Sequence, residues 1–504
     1  MHTILLIAVQ TRMVLLLLLS FASILLVLIY LQFRWRYRYI LATANKLPCP
    51  PGWPLIGNAL SLLGDFSRTT KNLFKNFTEF KKHFCLWVGP VPIFVISDPS
   101  DVQIILNSSN TLEKDDTAYT ILKIFGGNGL VTATVSIWKK TRRLINPVFH
   151  PTNLHKFLPV FNDVSRELVQ EVDVEGEIFD PSDLFSNAAL DAISRTVLTK
   201  RPVEKSIRGT IQKGLKNLGE LVHESTYKPW LQIEWISKLL GSKLKYTHQL
   251  YLEVADYFEK LSKEELCDEE YNKRQKYGYN DSHYKTLLDV FKDNPSVAGD
   301  EYDWRDERHT MLGAGTETVT SALSFFSILL ANHPDVQEKI YREILQEVED
   351  PSTVTISDLK SLTYLEQSLN ECLRLYPSVP AILRKATRNT KLSTFTLPAN
   401  SRVLIPFYAM GRDEEQFPDP EIFLPDRFSP DASEGRHPYS FLPFSGGPRN
   451  CIGKVYAMFF MKTVMVHLLR SYKLHTKVRL CDIEPCINVV MASNTKLLIR
   501  FESR

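Results

Sequence analysis

An uncharged and almost wholly apolar run near the amino terminus limits what this chain can fold into more than any other feature. It extends over Val14–Leu31. Its length lies near the lower end of the range of about 17 to 25 residues that a helix needs to cross a bilayer. Arg34, Arg36 and Arg38 follow at once, whereas only Arg12 precedes the run. This excess of positive charge places the downstream side in the cytoplasm. The sequence therefore predicts a single-pass anchor. A cleaved signal peptide is the alternative, which the length of the run disfavours.

The residues after the anchor have the composition of one large folded domain. Four prolines within Leu47–Gly57 prevent the membrane helix from continuing and make a stiff elbow. Of the 504 residues, 44% are hydrophobic and 23% are charged, and the net charge is +3, which does not point to nucleic acid as a partner. The seven cysteines are odd in number and scattered, which favours a reducing compartment over a disulfide framework. We assign residues 1–44 to the anchor with its basic flank and residues 45–504 to the domain.

The apolar patterns of the domain predict mostly helix. Leu86–Asp98 has the pattern of two short strands joined by a Gly-Pro turn. Asp303–Ala331 contains no proline and becomes apolar, which predicts one long, largely buried helix, and Ile452–Arg470 predicts a final apolar helix. The expected fold class is therefore mainly α with small β-sheets in a single large domain.

The segment FSGGPRNCIG surrounds one cysteine, Cys451, with glycines and a cation. A turn that opens a helix points backbone N–H groups at the sulfur and favours the thiolate. The nearby glycines, Gly446, Gly447 and Gly453, leave room for a flat ligand, and Arg449 can pair with an anion beside the sulfur. Zinc is disfavoured because the next cysteines lie far downstream. These residues fit an axial haem ligand with a propionate partner.

The same ten residues resemble the haem-thiolate signature of the cytochromes P-450, F-x-x-G-x-R-x-C-x-G. Phe444, Gly447, Arg449, Cys451 and Gly453 occupy its fixed positions. The resemblance implies the fold of that family, with iron protoporphyrin IX as the cofactor and Cys451 as the iron ligand. It also implies that Phe444, Arg449 and Gly453 contact the haem, and that residues 45–504 form a haem-thiolate monooxygenase domain.

A second motif of the family is E-x-x-R, here Glu371 and Arg374, which lie on one face of a helix. Arg427, in PDRF, resembles the third member of the structural triad of the family. A surface ion pair is the alternative, but the apolar neighbours of Glu371 favour burial. We expect these residues to act in folding and haem retention.

Further residues resemble those that contact the haem propionates in the family. They are Trp138 with Arg142, in WKKTRR, and Arg384. The alternative for isolated arginines is a solvated surface position. Lys139, Lys140 and Arg143 either form a basic face for an acidic flavoprotein or a solvated side of the helix.

The segment GAGTETVT within the long helix resembles the A-G-x-D/E-T motif of the family. Two glycines weaken a helix by about 1 kcal/mol each, which suggests that a ligand approaches there. Glu317 and Thr318 place a carboxyl and a hydroxyl in apolar surroundings. We expect them to relay the protons that dioxygen cleavage needs, and the alternative is a helix-bonded Thr beside an exposed Glu.

The residues around WKKTRR resemble the family-4 clan, which includes the microsomal fatty-acid ω-hydroxylases, and especially its insect branches. Many ω-hydroxylases carry a Glu, able to bond covalently to haem, where this chain has Ala314. We therefore expect haem to be held only by Cys451 and non-covalent contacts. The ranges expected to line the substrate pocket are Asn110–Gly129, Leu312 with Ala314, Val379–Leu383 and Val490–Ser493.

The resemblance implies an enzyme of the endoplasmic reticulum membrane whose catalytic domain faces the cytosol. Electrons come from NADPH-cytochrome P-450 reductase, with cytochrome b5 as a further partner, and the substrate is a lipophilic small molecule. Trp230–Gly241 has apolar residues at helical spacing, which fits either a core face or a surface that enters the bilayer. Two other functions stay open. They are a haem-thiolate isomerase or lyase that needs no NADPH, and a non-catalytic haem-binding or ligand-binding protein.

Overall fold

The structure, a computed structural model, describes residues 2–53, 56–62, 66–172, 178–227, 231, 241–267, 284–294, 303–350, 352–487 and 489–504. The segment Trp230–Gly241 falls outside these ranges except for its last residue and Leu231. Neither expectation for that segment is therefore addressed by the fold.

The chain begins with the predicted anchor helix, α1 (His2–Arg36). Its part from Thr11 to Arg36 is long and apolar enough to cross a membrane, and none of it is buried inside the protein. A second helix, α2 (Arg38–Ala44), follows after one residue. Ile40 and Ala44 of α2 are buried in an apolar cluster with strands of the domain. The basic flank of the anchor thus packs against the domain.

Helices form most of the described chain. Those of the first half are α3 (Phe66–Glu79), α4 (Pro99–Asn107), α5 (Asp116–Gly126), α6 (Val135–Ile145), α7 (Pro151–Leu154), α8 (Leu158–Glu171), α9 (Ser182–Ile193) and α10 (Lys205–Tyr227). Those of the second half are α11 (Ser242–Cys267), α12 (Leu287–Asp293), α13 (Trp304–Asn332), α14 (Pro334–Glu347), α15 (Ile356–Ser361), α16 (Thr363–Leu375), α17 (Phe407–Met410), α18 (Pro430–Ser433) and α19 (Lys454–Ser471).

The strands are short and form small sheets. They are β1 (His83–Val88), β2 (Val91–Ile96), β3 (Glu113–Lys114), β4 (Ile178–Phe179), β5 (Ile382–Lys385), β6 (Thr390–Lys391), β7 (Thr396–Leu397), β8 (Arg402–Ile405), β9 (Tyr472–His475), β10 (Pro485–Ile487), β11 (Met491–Ser493) and β12 (Ile499–Ser503). The largest sheet has the order β1-β2-β8-β5-β3, in which only β2 and β8 are parallel. The mainly α fold class with small sheets is confirmed.

Helix α13 crosses the centre of the largest core cluster and packs most extensively against α9. It begins at the N-cap Asp303, whose carboxylate accepts a hydrogen bond from the N–H of Arg305 at 2.8 Å. Its observed bounds agree with the predicted long helix. A Cβ on Gly315 would lie 2.7 Å from the Cδ1 atom of Ile193 on α9. Gly315 therefore permits close helix packing, which corrects the expectation that a ligand requires both glycines of α13.

The other predicted elements are also present. The two strands joined by Gly89-Pro90 are β1 and β2, and Gly89 has a φ of +62° at the turn between them. The final apolar helix is α19, which begins at Lys454, slightly later than predicted. The residues from Cys451 to Gly453 instead form the turn that leads into it.

Candidate active site

Cys451 lies in a loop that ends at the first turn of α19. Its backbone N–H donates to the carbonyl of Phe444 at 2.9 Å, which closes the loop. Gly447 within the loop has a φ of +69°, and a Cβ there would lie 2.1 Å from the carbonyl oxygen of Leu106. Backbone conformation and packing against α4 therefore explain glycine at this position, rather than a flat ligand. Gly453 is the N-cap of α19.

The side chain of Cys451 is open to a large cavity that it lines, yet it lies deep in the protein. Burial raises the pKa of its thiol, while the Gly453 backbone N–H and the charges of Arg142 and Lys454 act in the opposite direction. The expected donors to the sulfur are thus present, but burial outweighs them. A bound metal deprotonates a coordinating thiol, so a metal ion at this sulfur would favour the thiolate.

Three cationic side chains, Lys114, Arg384 and Arg449, converge near the carbonyl of Leu112. Arg449 donates to this carbonyl at 2.9 Å and to a second backbone carbonyl at 2.6 Å. The Nη1 atom of Arg384 lies 3.5 Å from the same Leu112 oxygen. Lys114 pairs with Arg384 across strands β3 and β5 and donates to the hydroxyl of Tyr119 at 3.1 Å. Non-local strand pairing therefore assembles this cation cluster.

The cation cluster is shielded from solvent, and the carboxylate of Glu113 offsets part of the repulsion at Arg449. Burial is the main cause that lowers the pKa of each member. The positive charge of Arg384 lowers the pKa of Lys114 and of Arg449 further. The pKa of Lys114 falls well below its usual value, and that of Arg449 falls to about 10. None of the three forms an ion pair with a described residue. Because buried charges are normally paired, the cluster has the properties of an anion-binding site.

The two residues of α6 that were expected to bind the cofactor point in different directions. Trp138 is buried, and its ring lies 5.1 Å from the guanidinium carbon of Arg449. Arg142 instead donates to the backbone carbonyl of Asn450 at 2.9 Å and to the side-chain oxygen of Asn450 at 3.1 Å. Trp138 thus lies with the cation cluster, whereas Arg142 lies beside the cysteine loop. The side chains of Lys139, Lys140 and Arg143 are exposed.

Glu371, Arg374 and Arg427 form a buried ion network. Arg374 donates to both carboxylate oxygens of Glu371, at 2.7 and 2.8 Å, and Arg427 donates to one of them at 2.9 Å. The Arg374 guanidinium also donates to backbone carbonyls of Gly411 and Pro420, each at 2.6 Å. The network therefore ties α16 to the segment before the cysteine loop.

Glu317 and Thr318 lie on α13 and line the cavity on the wall formed by that helix. Burial raises the pKa of Glu317 to about 7. The Thr318 hydroxyl donates to the carbonyl of Ala314, one turn earlier, at 2.7 Å, as in the helix-bonded alternative. Its oxygen can still accept a further hydrogen bond. The carboxyl is shielded rather than solvated, which is the environment that suits a proton donor.

The cavity has a volume of about 1650 Å³ and extends from Cys451 to the residues of α2 beside the anchor. Ala314 and all of Val379–Leu383 line it, as expected. Leu312 does not line it, because its side chain is packed into the core, and the neighbouring Met311 lies at the wall instead.

Sequence reasoning missed Tyr251 and His309, two polar residues of this cavity. Lys114 and Tyr119 lie within the expected range Asn110–Gly129, but the charged sequence LEKDD around Lys114 is typical of a solvated surface. Tyr251 and His309 come from helices whose contact depends on the tertiary fold. Nothing in their local sequence separates them from ordinary helix residues.

Comparison with known proteins agrees with this geometry. The chain matches the family model described as Cytochrome P450 over residues 47–499. It is 33% identical to "Probable cytochrome P450 4aa1" of Drosophila melanogaster over 472 residues. This alignment covers 91% of this chain and 90% of that protein. It is 31% identical to "Cytochrome P450 4c21" of Blattella germanica, over 86% of this chain and 88% of that protein. It is also 31% identical to "Cytochrome P450 4V2" of Homo sapiens, over 83% of this chain and 82% of that protein.

The chain belongs to the cytochrome P450 family. Membership makes it a haem-thiolate monooxygenase, an oxidoreductase whose haem iron is held by a cysteine thiolate. The curated relatives are family-4 members and include insect proteins, which confirms the resemblance found in the sequence. The residues present fit this cofactor, because the cavity offers a cysteine sulfur on one wall and an unpaired cation cluster suited to the propionate carboxylates.

Proposed function

We propose that this enzyme inserts one atom of dioxygen into a lipophilic small molecule, with electrons that NADPH supplies through a reductase. In this reaction RH, O₂, NADPH and H⁺ give ROH, H₂O and NADP⁺. The substrate is fatty-acid-like, a hormone or a xenobiotic. When bound, the haem with its thiolate ligand activates dioxygen and cleaves the O–O bond. The observation that carries the proposal is a single cavity whose walls include both Cys451 and the Glu317–Thr318 pair.

Two groups of residues would hold the haem. Cys451 would bind the iron, and the Gly453 N–H hydrogen-bonds its sulfur. The cation cluster, with Trp138 beside it, would bind the propionates by charge-assisted hydrogen bonds. Arg142 holds the cysteine loop through Asn450 and adds positive charge near the sulfur, while Phe444 packs at the cavity wall.

No covalent bond links the haem to α13. Ala314 occupies the position of the carboxyl that makes such a bond in other members of the clan, and its methyl group cannot react. Mass spectrometry after acid denaturation should therefore detect free haem. Haem that remains attached to the chain would contradict this assignment.

Glu317 and Thr318 would supply the protons that cleavage of dioxygen needs. Since burial raises the pKa of Glu317 to about 7, the carboxyl holds a proton in a large share of molecules at neutral pH and can release it. The Thr318 hydroxyl lies one residue further along α13 and opens to the same cavity. Its proton can turn from the Ala314 carbonyl toward the cavity, while its oxygen accepts a further hydrogen bond.

A lipophilic substrate follows from where the cavity opens. Tyr37, Tyr39 and Ile40, directly after the anchor helix, line its outer end. An apolar molecule dissolved in the bilayer reaches this end without crossing water. Apolar side chains such as Leu73, Phe77 and Leu383 line the path inward.

The proposed partner and the proposed membrane are inferred from two separate features, the basic face of α6 and the anchor helix. The exposed cations Lys139, Lys140 and Arg143 lie on α6, the helix that also carries Arg142 beside the cysteine loop. Such a basic face attracts an acidic flavoprotein, NADPH-cytochrome P-450 reductase, and also cytochrome b5. The enzyme resides in the endoplasmic reticulum membrane with its catalytic domain in the cytosol, as the arginines after the anchor indicate.

Turnover under ¹⁸O₂ tests the proposal. Membranes containing the enzyme and the reductase should, with NADPH, give products that carry one ¹⁸O atom, and the reaction should stop without NADPH. Product formed without NADPH would instead support the isomerase or lyase. Ligand binding without any product would support the non-catalytic binding protein. The acid Glu317 disfavours both alternatives, since neither needs protons for dioxygen cleavage.

A further inference from the structure

Three polar side chains form a line along one wall of the cavity. His309 and Glu317 lie on α13 about two turns apart, on one face of the helix. Tyr251 reaches the same wall from α11, and all three line the cavity. A histidine and a carboxyl of α13 and a tyrosine of α11 thus place three titratable side chains on the same wall of the cavity.

Tyr251 spans the distance between the other two residues. Its ring lies 5.3 Å, centroid to centroid, from the imidazole of His309, which also makes a hydrogen bond with the Tyr251 backbone. Burial raises the pKa of the Tyr251 phenol, and the negative charge of Glu317 raises it further. The phenol therefore lies near the His309 ring and close enough to Glu317 for the two groups to interact electrostatically.

Apolar side chains shield this path. The ring of Phe125 on α5 lies 4.7 Å from that of Tyr251, and the α10 residues Gly214 and Leu218 close the other side. The Tyr251 hydroxyl makes no hydrogen bond to a described residue. Because a buried phenol normally finds a polar partner, a hydroxyl beside Glu317 is suited to exchange protons with that carboxyl, directly or through a water.

We propose that Tyr251 passes protons to Glu317 and that His309 positions Tyr251 for this task. The proposal rests on the proposed function, in which Glu317 is the acid. The phenol oxygen gives its proton to the Glu317 carboxylate while it accepts another from water on its His309 side. Tyr251 is therefore unchanged after each transfer, and two such transfers supply the two protons that one turnover consumes. No free phenolate forms, which burial would disfavour.

The test compares Tyr251→Phe with Tyr246→Phe, an exposed tyrosine on the same helix. The first measurement is the infrared C=O band of protonated Glu317, identified by its loss in Glu317→Gln. We expect this band to shift in Tyr251→Phe and not in the control. The second is formaldehyde release from N,N-dimethylaniline, driven either by NADPH with reductase or by hydrogen peroxide. Tyr251→Phe should slow the NADPH-driven rate about tenfold or more and leave the peroxide-driven rate unchanged, because peroxide carries its own protons.

Two results would overturn this proposal. An equal loss of both rates would mean that Tyr251 shapes the cavity, and an unmoved band with an unchanged rate would mean that it passes no protons. If wild type has no NADPH-driven activity, the proposed function itself fails, and the infrared band still tests the contact. For His309, the variant His309→Gln keeps a hydrogen-bond donor and should retain the wild-type band. His309→Leu should shift it.

Discussion

Burial raises the pKa of the Glu317 carboxyl to about 7, so this group can hold and release a proton at neutral pH. We predict that Glu317→Gln lowers NADPH-driven turnover by about 100-fold, because an amide of the same size cannot release a proton. In wild type the rate should fall above about pH 7, where the carboxyl loses its proton. Turnover measured from pH 6 to 9 checks both, and the variant should lack this decline.

The raised pKa of Glu317 also predicts how the stability of the protein depends on pH. The pKa of Glu317 is about 7 in the folded protein against an ordinary value of 4.5, so the folded state binds this proton more tightly than the unfolded state. The free energy of unfolding therefore falls as pH rises from 4.5 to 7. Thermal unfolding of Glu317→Gln should show a smaller decline across this range. A larger decline in the variant would contradict the assigned burial.

The cation cluster predicts opposite effects with and without haem. In haem-free protein, Lys114→Met should leave stability unchanged or raise it, because it removes a buried charge that Arg384 and Arg449 repel. In the holoenzyme the same change should weaken haem binding about tenfold, a loss of about 1.4 kcal/mol. Haem transfer to apomyoglobin and thermal unfolding measure the two effects.

The control for this prediction is Lys139→Met, which removes an exposed lysine of α6. It should alter neither measurement. If Lys114→Met destabilised the haem-free protein and left haem binding intact, the cluster would be structural and not a propionate site.

Site residues that belong to a local motif could be predicted from the sequence. Site residues that reach the cavity through contacts between distant parts of the chain could not. Cys451 and Arg449 stand at fixed spacing within one loop, so their neighbours along the chain identify them. Lys114 is buried only because β3 pairs with β5, which lies far along the chain. Tyr251 reaches the cavity through the packing of α11 on α13. No local pattern contains either contact.

At the scale of elements, the buried ion network fixes α16 to the segment before the cysteine loop. We predict that Glu371→Gln destabilises the protein by about 3 to 5 kcal/mol, because it leaves two buried guanidinium groups without a counter-charge. Thermal unfolding and haem content after purification should both fall. The matched control is Asp482→Asn in the exposed pair with Arg479, which has the same spacing and a 2.8 Å contact.

The control pair is exposed, and its loss should change neither the unfolding temperature nor the haem content. Equal effects of the two substitutions would mean that the buried network contributes no more than a surface pair. In that case the E-x-x-R motif would need another explanation.

Elements with a strong local pattern were predicted correctly, whereas the way in which these elements assemble could not be predicted. α13, α19 and the β1–β2 hairpin follow from apolar periodicity and from Gly89 at the turn. The strand order of the largest sheet, by contrast, joins residues from both ends of the domain. Helix packing likewise decided the role of Gly315, which faces α9.

At the scale of the whole molecule, the anchor and the domain should be separable after α1. Deleting residues 2–36 should abolish flotation with lipid vesicles and leave thermal unfolding unchanged, because the side chains from Thr11 to Arg36 are not buried in the protein. Deleting residues 2–44 should also lower stability by several kcal/mol, since it removes the buried Ile40 and Leu41 at about 2 kcal/mol each. Equal stability of the two truncated proteins would contradict the packing of α2.

The central claim is that Cys451 gives its thiolate to a haem iron, and one spectrum tests it most directly. The measurement is the absorption of the dithionite-reduced holoenzyme under carbon monoxide, with Cys451→Ala beside wild type. The thiolate ligand predicts a strongly red-shifted Soret band in wild type that disappears in the variant. A Soret band at shorter wavelength in intact wild type would indicate histidine or neutral-thiol ligation and would contradict the oxygen-insertion mechanism.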